Sequence, residues 1–161
     1  MKPVVNVGVG DYAISDRPGE EIKTYGLGSC VALAVYDRRQ RIGALLHVAY
    51  PEAVINPERA RQQPAYFVDT GVQMVMEQLL TQHRVDRHDL VLKIAGGAAM
   101  MEDEGLFNIG KRNVLAVRRE LSRLGFRVSA EDVGGELSRT VSLSIDTGAT
   151  LVSSGRDRWE L

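Results

Sequence analysis

The residues best suited to nucleophilic chemistry in this chain are its single cysteine and a histidine further along. Cys30 ends the segment "TYGLGSC" and precedes the apolar run "VALAVYD", and His47 lies within "ALLHVAYP". An isolated thiol has a pKa of about 8.5 and is mostly protonated at neutral pH. A neighbouring imidazole accepts that proton, stabilises the thiolate as an imidazolium and later protonates a leaving amine. A Cys–His pair would therefore suit the cleavage of an amide.

Two predicted strands position this pair. Apolar runs predict strands over residues 31–36 and 42–49, and the short polar segment "DRRQ" predicts a hairpin loop between them. If the loop is residues 37–40, the numbers of facing residues sum to 77, which places Cys30 directly opposite His47. Facing residues have Cβ atoms about 4.5–5.5 Å apart. A slip of one residue would instead send the two side chains to opposite faces.

The same register divides the predicted hairpin into two different faces. The face with Cys30 and His47 carries mostly small residues (Ala32, Ala34, Gly43 and Leu45), and the other carries core-type residues (Val31, Leu33, Val35, Ile42, Ala44, Leu46 and Val48). Small side chains are expected where another element or a substrate approaches closely. We therefore expect the second face to be core.

The segment before Cys30 contains three further candidates. Thr24 lies on a predicted preceding strand, and its hydroxyl could orient the imidazole as a carboxylate or an asparagine does in other triads. Gly26 and Gly28 permit backbone conformations that other residues avoid. A tight turn there would aim backbone N–H groups near Ser29 and Cys30 at an oxyanion. We therefore assign Gly28 and Ser29 to a backbone oxyanion site.

A structural interpretation of these residues stays open at this point. A lone cysteine before an apolar strand is more commonly a small buried residue. A lone histidine in an apolar run is more commonly a satisfied residue at a strand end, and threonine in a strand needs no functional explanation. Residue types and spacing alone do not decide between the two interpretations.

Composition excludes several other classes of function. The 161 residues are 44% hydrophobic and 25% charged, and 20 Lys and Arg nearly balance 21 Asp and Glu. Without a basic field, neither nucleic acid nor an anionic membrane is an expected partner. One cysteine forms no internal disulfide and cannot build a cysteine-based zinc site alone. The glycine clusters lack the spacing of a P-loop or a dinucleotide fingerprint, so we predict no metal and no cofactor. No signal peptide or spanning segment is evident, and a cytoplasmic protein is expected.

The remaining pattern predicts a mixed α/β or α+β fold. Seven or eight strands and two helices are expected, the helices over residues 64–81 and 110–125. Gly125 is the expected end of the second helix. We assign residues 1–152 to a single domain and residues 153–161 to a surface tail.

Five segments resemble, in order, the motifs of the CheD family of chemoreceptor glutamine deamidases. They are "TYGLGSCVALAVYD", "RIGALLHVAYP", "KIAGGAAMM", "NIGKRN" and "EDVGGELSRTVSLSIDTGATLV", and together they cover almost the whole chain up to Val152. The resemblance implies packed mixed β-sheets flanked by helices, as in deamidating bacterial toxins. It also implies catalysis by Cys30, His47 and Thr24 without a cofactor.

The implied activity is the conversion of glutamine side chains on methyl-accepting chemotaxis receptors to glutamate through a cysteine thioester. A CheC-type phosphatase is a further partner that the resemblance implies. The alternative is a non-catalytic chemotaxis adaptor that binds the receptor or such a phosphatase. A third possibility is transglutaminase-like acyl transfer, since an amine can capture a thioester in place of water.

Overall fold

In the described part of the chain, two five-stranded β-sheets pack face to face, and helices cover the outer face of one of them. The computed structural model describes residues 2–100 and 108–161. In these residues the strands are β1 (Val4–Val7), β2 (Asp11–Ser15), β3 (Glu21–Leu27), β4 (Val31–Asp37), β5 (Ile42–Val48), β6 (Leu90–Gly96), β7 (Ala130–Val133), β8 (Arg139–Ser144), β9 (Thr150–Ser154) and β10 (Asp157–Glu160). The predicted mixed α+β class is confirmed.

Each sheet is mixed. The first has the strand order β1-β3-β8-β9-β10, and the second has the order β2-β5-β4-β6-β7. The pairs β1–β3 and β6–β7 are parallel, and the other pairs are antiparallel. β4 and β5 are at the centre of the second sheet, where every one of their residues is buried. Sequence positions 31–37 and 42–48 therefore supply side chains to two different hydrophobic layers.

Three α-helices accompany the sheets in the described residues: α1 (Pro57–Gln62), α2 (Val68–Thr81) and α3 (Ile109–Arg123). The side chain of Asn56 caps the N-terminus of α1, and that of Asn108 caps α3. α3 ends where it is predicted to end. Gly125 has a φ of +86° and donates to the Ser122 carbonyl, and Phe126 donates to Leu121, which is the Schellman arrangement.

Two hydrophobic layers hold the structure together. The outer layer joins one face of the second sheet to α2 and α3, and it contains Val31, Leu33, Val35, Ile42, Ala44, Leu46 and Val48. The inner layer lies between the two sheets and contains Ala32, Ala34, Tyr36 and Leu45, with Cys30 packed against it. The predicted division of the hairpin into two faces is confirmed, and the small face is the one that the first sheet approaches.

Several elements differ from the prediction. β2, β10 and α1 are additional, and α2 begins at Val68 because residues 64–66 form a separate 3₁₀ turn. β2 is a five-residue strand that follows directly on a glycine turn, and α1 is a six-residue helix with no buried residue, so both are too short to give a clear sequence pattern. Met101, which ends the quoted "KIAGGAAMM", lies outside the described residues.

The stretch after Val152 is part of the first sheet and not the predicted surface appendage. Residues up to Ser154 complete β9, and β10 pairs with it antiparallel. The indole of Trp159 donates to the Asp132 carboxylate on β7 of the other sheet. The Leu161 carbonyl accepts a bond of 2.6 Å from Lys93 Nζ on β6. This end of the chain therefore bridges the two sheets.

Candidate active site

The β4–β5 hairpin brings Cys30 and His47 to one face of the sheet, but not as direct partners. Ala32 faces His47 and Val31 faces Val48, so the predicted register is wrong by two positions. The loop is residues 38–41 because Asp37 remains paired with Ile42 and its carboxylate accepts from the N–H groups of Arg39 and Gln40. The sequence analysis placed Asp37 in the loop, whereas in the structure Asp37 is buried at the end of the strand and its carboxylate caps the turn.

Because side chains alternate with a period of two, a register shift of two positions leaves each side chain on its predicted face of the sheet. Cys30 precedes Ala32 by two residues and packs against the inner layer, as Ala32 does. His47 lies two residues beyond Leu45, which belongs to the same layer. The thiol and the imidazole are therefore diagonal neighbours, for which Cβ atoms are typically within about 7–8 Å. Cys30 is half-buried and His47 is fully buried, so the thiol is the more accessible of the two groups.

Thr24 on β3 holds the imidazole from the opposite sheet. Its Oγ1 lies 2.7 Å from His47 Nδ1 and also 2.7 Å from the Val7 carbonyl oxygen. A carbonyl only accepts, so the single hydroxyl proton of Thr24 goes to Val7, and the hydroxyl accepts from Nδ1–H. That leaves Nε2 of His47 unprotonated. This atom is buried and has no hydrogen-bond partner among the described residues, so its lone pair is free to accept a proton.

A β-bulge near the end of β3 separates Thr24 from the turn into Cys30. The pairing of β3 with β8 shifts between Thr24 and Leu27, and Gly26 within the shift has a φ of +66°. Bulges bend a strand and re-aim the residues beside them, and glycine adopts this conformation without strain. Gly28 does not have a positive φ, contrary to expectation. A Cβ there would lie 3.2 Å from the side chain of Met100, so this glycine provides space.

Each of the three consecutive carbonyls before β4 accepts a hydrogen bond from β6–α3 residues. Gly28 O accepts from Ala98 N and Cys30 O from Gly97 N, both at 2.8 Å. Ser29 O accepts from Nδ2 of Asn113 at 3.0 Å. The Gly28 N–H donates to Gly26 O at 3.1 Å and is therefore occupied. The N–H groups of Ser29 and Cys30 donate to no backbone carbonyl among the described residues.

The glycine pair after β6 allows this close approach. Gly96 has a φ of +112°, and a Cβ on it would lie 2.3 Å from the Cys30 carbonyl oxygen. Gly97 has a φ of +64°, and its Cβ would lie 2.3 Å from a methyl of Val114 on α3. Only glycine combines these backbone angles with this spacing. The segment "AGGA" therefore has a structural role, because its glycines let the chain pack closely against Cys30 and α3. The family resemblance included this segment but gave no reason for its residues.

Asn113 is a site residue that the sequence analysis missed. It lies on the buried face of α3 and is fully buried, and its Nδ2 donates to Ser29 O and, at 2.9 Å, to Ala49 O. Ala49 follows His47 by two residues. The available signal was a polar residue on the apolar face of an amphipathic helix, within the quoted "NIGKRN".

Burial sets the protonation of both candidate groups. Desolvation raises the pKa of the Cys30 thiol to about 11, and the residue's own backbone N–H lowers it in part by stabilising the thiolate. Desolvation lowers the pKa of the His47 imidazole to about 4. Near neutral pH the pair therefore rests as a thiol and a neutral imidazole. An ion pair would form only when the reaction moves the proton.

The structure thus brings together Cys30, His47, Thr24 and Ser29 at one end of the two-sheet layer. Gly28 contributes its carbonyl to the fixed turn and no free N–H. No group of three or more His, Cys, Asp or Glu side chains in the described part of the chain is placed to hold a metal ion. Within the same residues, no helix has the length and apolar character needed to cross a bilayer.

Similarity to known proteins identifies the family. The model of the family described as CheD chemotactic sensory transduction matches residues 50–154. A protein named probable chemoreceptor glutamine deamidase CheD from Syntrophotalea carbinolica is 46% identical over 96% of this chain and 97% of its own length. One of the same name from Solibacter usitatus is 40% identical over 96% of this chain and 91% of its own length.

A solved structure shares the fold alone. YlmD from Geobacillus stearothermophilus has a TM-score of 0.51 and 12% identity, covering 78% of this chain and 49% of that protein. The family match begins after His47, but the alignments with the two relatives extend over nearly the whole chain and thus include the Thr24–His47 region. The chain belongs to the CheD family.

Proposed function

We propose that this protein is a glutamine deamidase that hydrolyses side-chain carboxamides on the cytoplasmic domains of methyl-accepting chemotaxis receptors. The names of the relatives support the substrate class. The observation that carries the chemistry is the bond from His47 Nδ1–H to Thr24, which leaves Nε2 free on the face shared with Cys30. The three roles are nucleophile for Cys30, general base and acid for His47, and orienting group for Thr24.

The first half of the reaction forms a thioester. As the Cys30 sulfur attacks the carboxamide carbon, its proton passes to His47 Nε2, because a free thiolate is disfavoured in this buried setting. The carbon–sulfur bond forms as the carbonyl π electrons move to oxygen. The N–H groups of Ser29 and Cys30 are the available donors for that oxyanion. Collapse of the intermediate expels ammonia, which takes its proton from His47.

The second half hydrolyses the thioester. His47 Nε2 takes a proton from water, whose oxygen attacks the thioester carbon, and the departing sulfur recovers the proton. Thr24 accepts from Nδ1–H throughout, while its own hydroxyl proton remains on Oγ1 and is donated to the Val7 carbonyl, so the imidazolium is stabilised through a polarised hydroxyl. The product glutamate adds one negative charge to the receptor helix, which shifts a signalling equilibrium electrostatically.

The deciding experiment uses purified full-length protein and a receptor cytoplasmic domain. Deamidation releases ammonia and raises the substrate mass by about one dalton, and Cys30→Ala is expected to abolish both signals. Cys30→Ala that keeps full activity would refute the mechanism. Inactivity of the wild-type protein with retained receptor binding would instead favour the adaptor function. Incorporation of an added primary amine would reveal acyl transfer. The CheC-type partner and the cytoplasmic location stay predictions.

A further inference from the structure

Asn113 occupies a position whose contacts the proposed chemistry has not used. Both hydrogens of its side-chain amide are engaged, one by the Ser29 carbonyl at 3.0 Å and one by the Ala49 carbonyl at 2.9 Å. Two carbonyl acceptors require the amide nitrogen on this side, so the orientation of the side chain is unambiguous. A single residue of α3 thus joins the chain just before Cys30 to the chain just after His47.

The bond to Ser29 fixes more than a carbonyl. The carbonyl of Ser29 and the N–H of Cys30 belong to the same planar trans peptide, in which the two groups point in opposite directions. A donor that holds the carbonyl toward α3 therefore turns the Cys30 N–H away from α3. α3 packs in the outer layer, whereas the Cys30 side chain packs against the inner layer, so the direction away from α3 is the side of the sulfur.

The orientation matters because this N–H has no competing acceptor in the backbone of the described residues. The oxyanion of an acyl-transfer intermediate forms next to the sulfur, at the carbon that the sulfur attacks. A preorganised N–H there stabilises developing charge without any rearrangement during the reaction. The neighbouring carbonyls of Gly28 and Cys30 accept from Ala98 and Gly97, whereas among the described residues the Ser29–Cys30 peptide is held by Asn113 alone.

The remaining atom of the side chain argues against a purely structural role. Oδ1 of Asn113 is buried and has no hydrogen-bond partner among the described residues. A buried acceptor without a partner is unfavourable for folding, and asparagine is a weak helix former. The position therefore carries a polar residue on the core face of α3 at a cost to stability. The two hydrogen bonds that the side chain donates at the site offset this cost.

We propose that Asn113 is a positioning residue that presets the oxyanion-binding N–H of Cys30 by clamping the Ser29–Cys30 peptide, while its second bond keeps the end of β5 in place. This role rests on the proposed function, because it matters only if Cys30 forms a tetrahedral intermediate. Among the described residues, the hydrogen bonds of the Asn113 side chain go to backbone carbonyls and not to the thiol or the imidazole, so it acts through the backbone.

The test compares two reactions of the same thiol. Deamidation needs the oxyanion site, whereas alkylation of Cys30 by iodoacetamide at the methylene carbon forms no oxyanion. Asn113→Leu keeps the branched shape and removes both donors, and Asn113→Ala removes the side chain. For each we expect kcat for deamidation to fall about 10²-fold. KM should change by less than about fivefold, because the interaction is made in the transition state, and the alkylation rate should fall much less than kcat, because alkylation forms no oxyanion.

Tyr36→Phe is the matched control. The Tyr36 hydroxyl donates to the Ile145 carbonyl at 2.7 Å, so this variant also removes a buried bond to a carbonyl, but at the far end of β4. It should leave kcat within about twofold of the wild-type value. All variants are first compared with the wild-type protein by circular dichroism and thermal unfolding.

Three outcomes would overturn the role of Asn113. The first is an unchanged kcat in a folded Asn113→Leu protein. The second is an equal loss of deamidation and alkylation, which indicates general disruption of the site. The third is failure of both Asn113 variants to fold, which would make the residue a determinant of folding. The Cys30→Ala variant distinguishes failure of the Asn113 proposal from failure of the proposed function. Activity retained by Cys30→Ala refutes the function itself, whereas an inactive Cys30→Ala with a fully active Asn113→Leu refutes only the clamp.

Discussion

The bond between Thr24 and His47 offers the sharpest test of how the site works. Both residues are fully buried, and Thr24→Val replaces the hydroxyl by a methyl group of similar size. The substitution leaves the Nδ1–H of His47 without an acceptor, and a buried polar group left unsatisfied costs about 1–3 kcal/mol. Nothing then holds the proton on Nδ1, so the imidazole can carry it on Nε2 instead. That tautomer cannot accept the proton of the thiol.

The size of the effect follows from this cost. If the whole penalty favours the wrong tautomer, the active fraction falls by about 5- to 150-fold, since 1.36 kcal/mol corresponds to one power of ten. We therefore expect kcat for ammonia release to fall within that range, with KM little changed. The Val7 carbonyl loses its donor as well, so the unfolding temperature should drop by a few degrees, at about 2–4 °C per kcal/mol for a chain of this size.

Thr24→Ser is the control, because it keeps the hydroxyl that both bonds need. It should retain kcat within about threefold of the wild-type value. Nitrogen chemical shifts of His47 provide an independent measurement, with Nδ1 protonated in the wild-type protein and in Thr24→Ser. Wild-type kcat in Thr24→Val, or Nε2 protonated in the wild-type protein, would refute the assigned direction of the hydrogen bond.

Two further predictions concern protonation and backbone. Burial raises the pKa of Cys30 to about 11 and lowers that of His47 to about 4, so thiolate is scarce at neutral pH and increases as pH rises. Iodoacetamide alkylation of Cys30 should therefore accelerate about tenfold per unit of pH up to about pH 9, whereas a plateau at lower pH would indicate a preformed ion pair. Gly96→Ala places a Cβ 2.3 Å from the Cys30 carbonyl, so it should lower kcat and reduce stability by more than Gly19→Ala, which has a φ of +81° but open space around it. Similar losses in the two variants would show that only backbone strain matters.

The strongest sequence prediction was the division of the β4–β5 hairpin into two faces. Alternation has a period of two, so the assignment of Leu33 to the outer layer and Ala34 to the inner layer survives an error of two positions in register. For this reason the predicted direct pairing of Cys30 with His47 was wrong by two positions, whereas the prediction that both side chains share one face was correct. The register itself depended on Asp37, a polar residue that pairs within the strand and caps the turn.

Other parts of the molecule depend on contacts between residues far apart in sequence. The sequence made Thr24 a candidate to orient the imidazole, but nothing in its own segment indicates that it meets His47 from the opposite sheet. Trp159 and β10 join the first sheet through an edge pairing that a polar terminal segment does not predict.

By itself the sequence determined the alternating strands, the apolar faces of α2 and α3, the end of α3 at Gly125 and the family motifs, because each depends on local periodicity or on residue identity. Tertiary structure alone decided the tautomer of His47, the protonation of Cys30 and the contacts of Asn113. These depend on burial and on hydrogen-bond partners from other elements. Both arise only when the two sheets and α3 pack together.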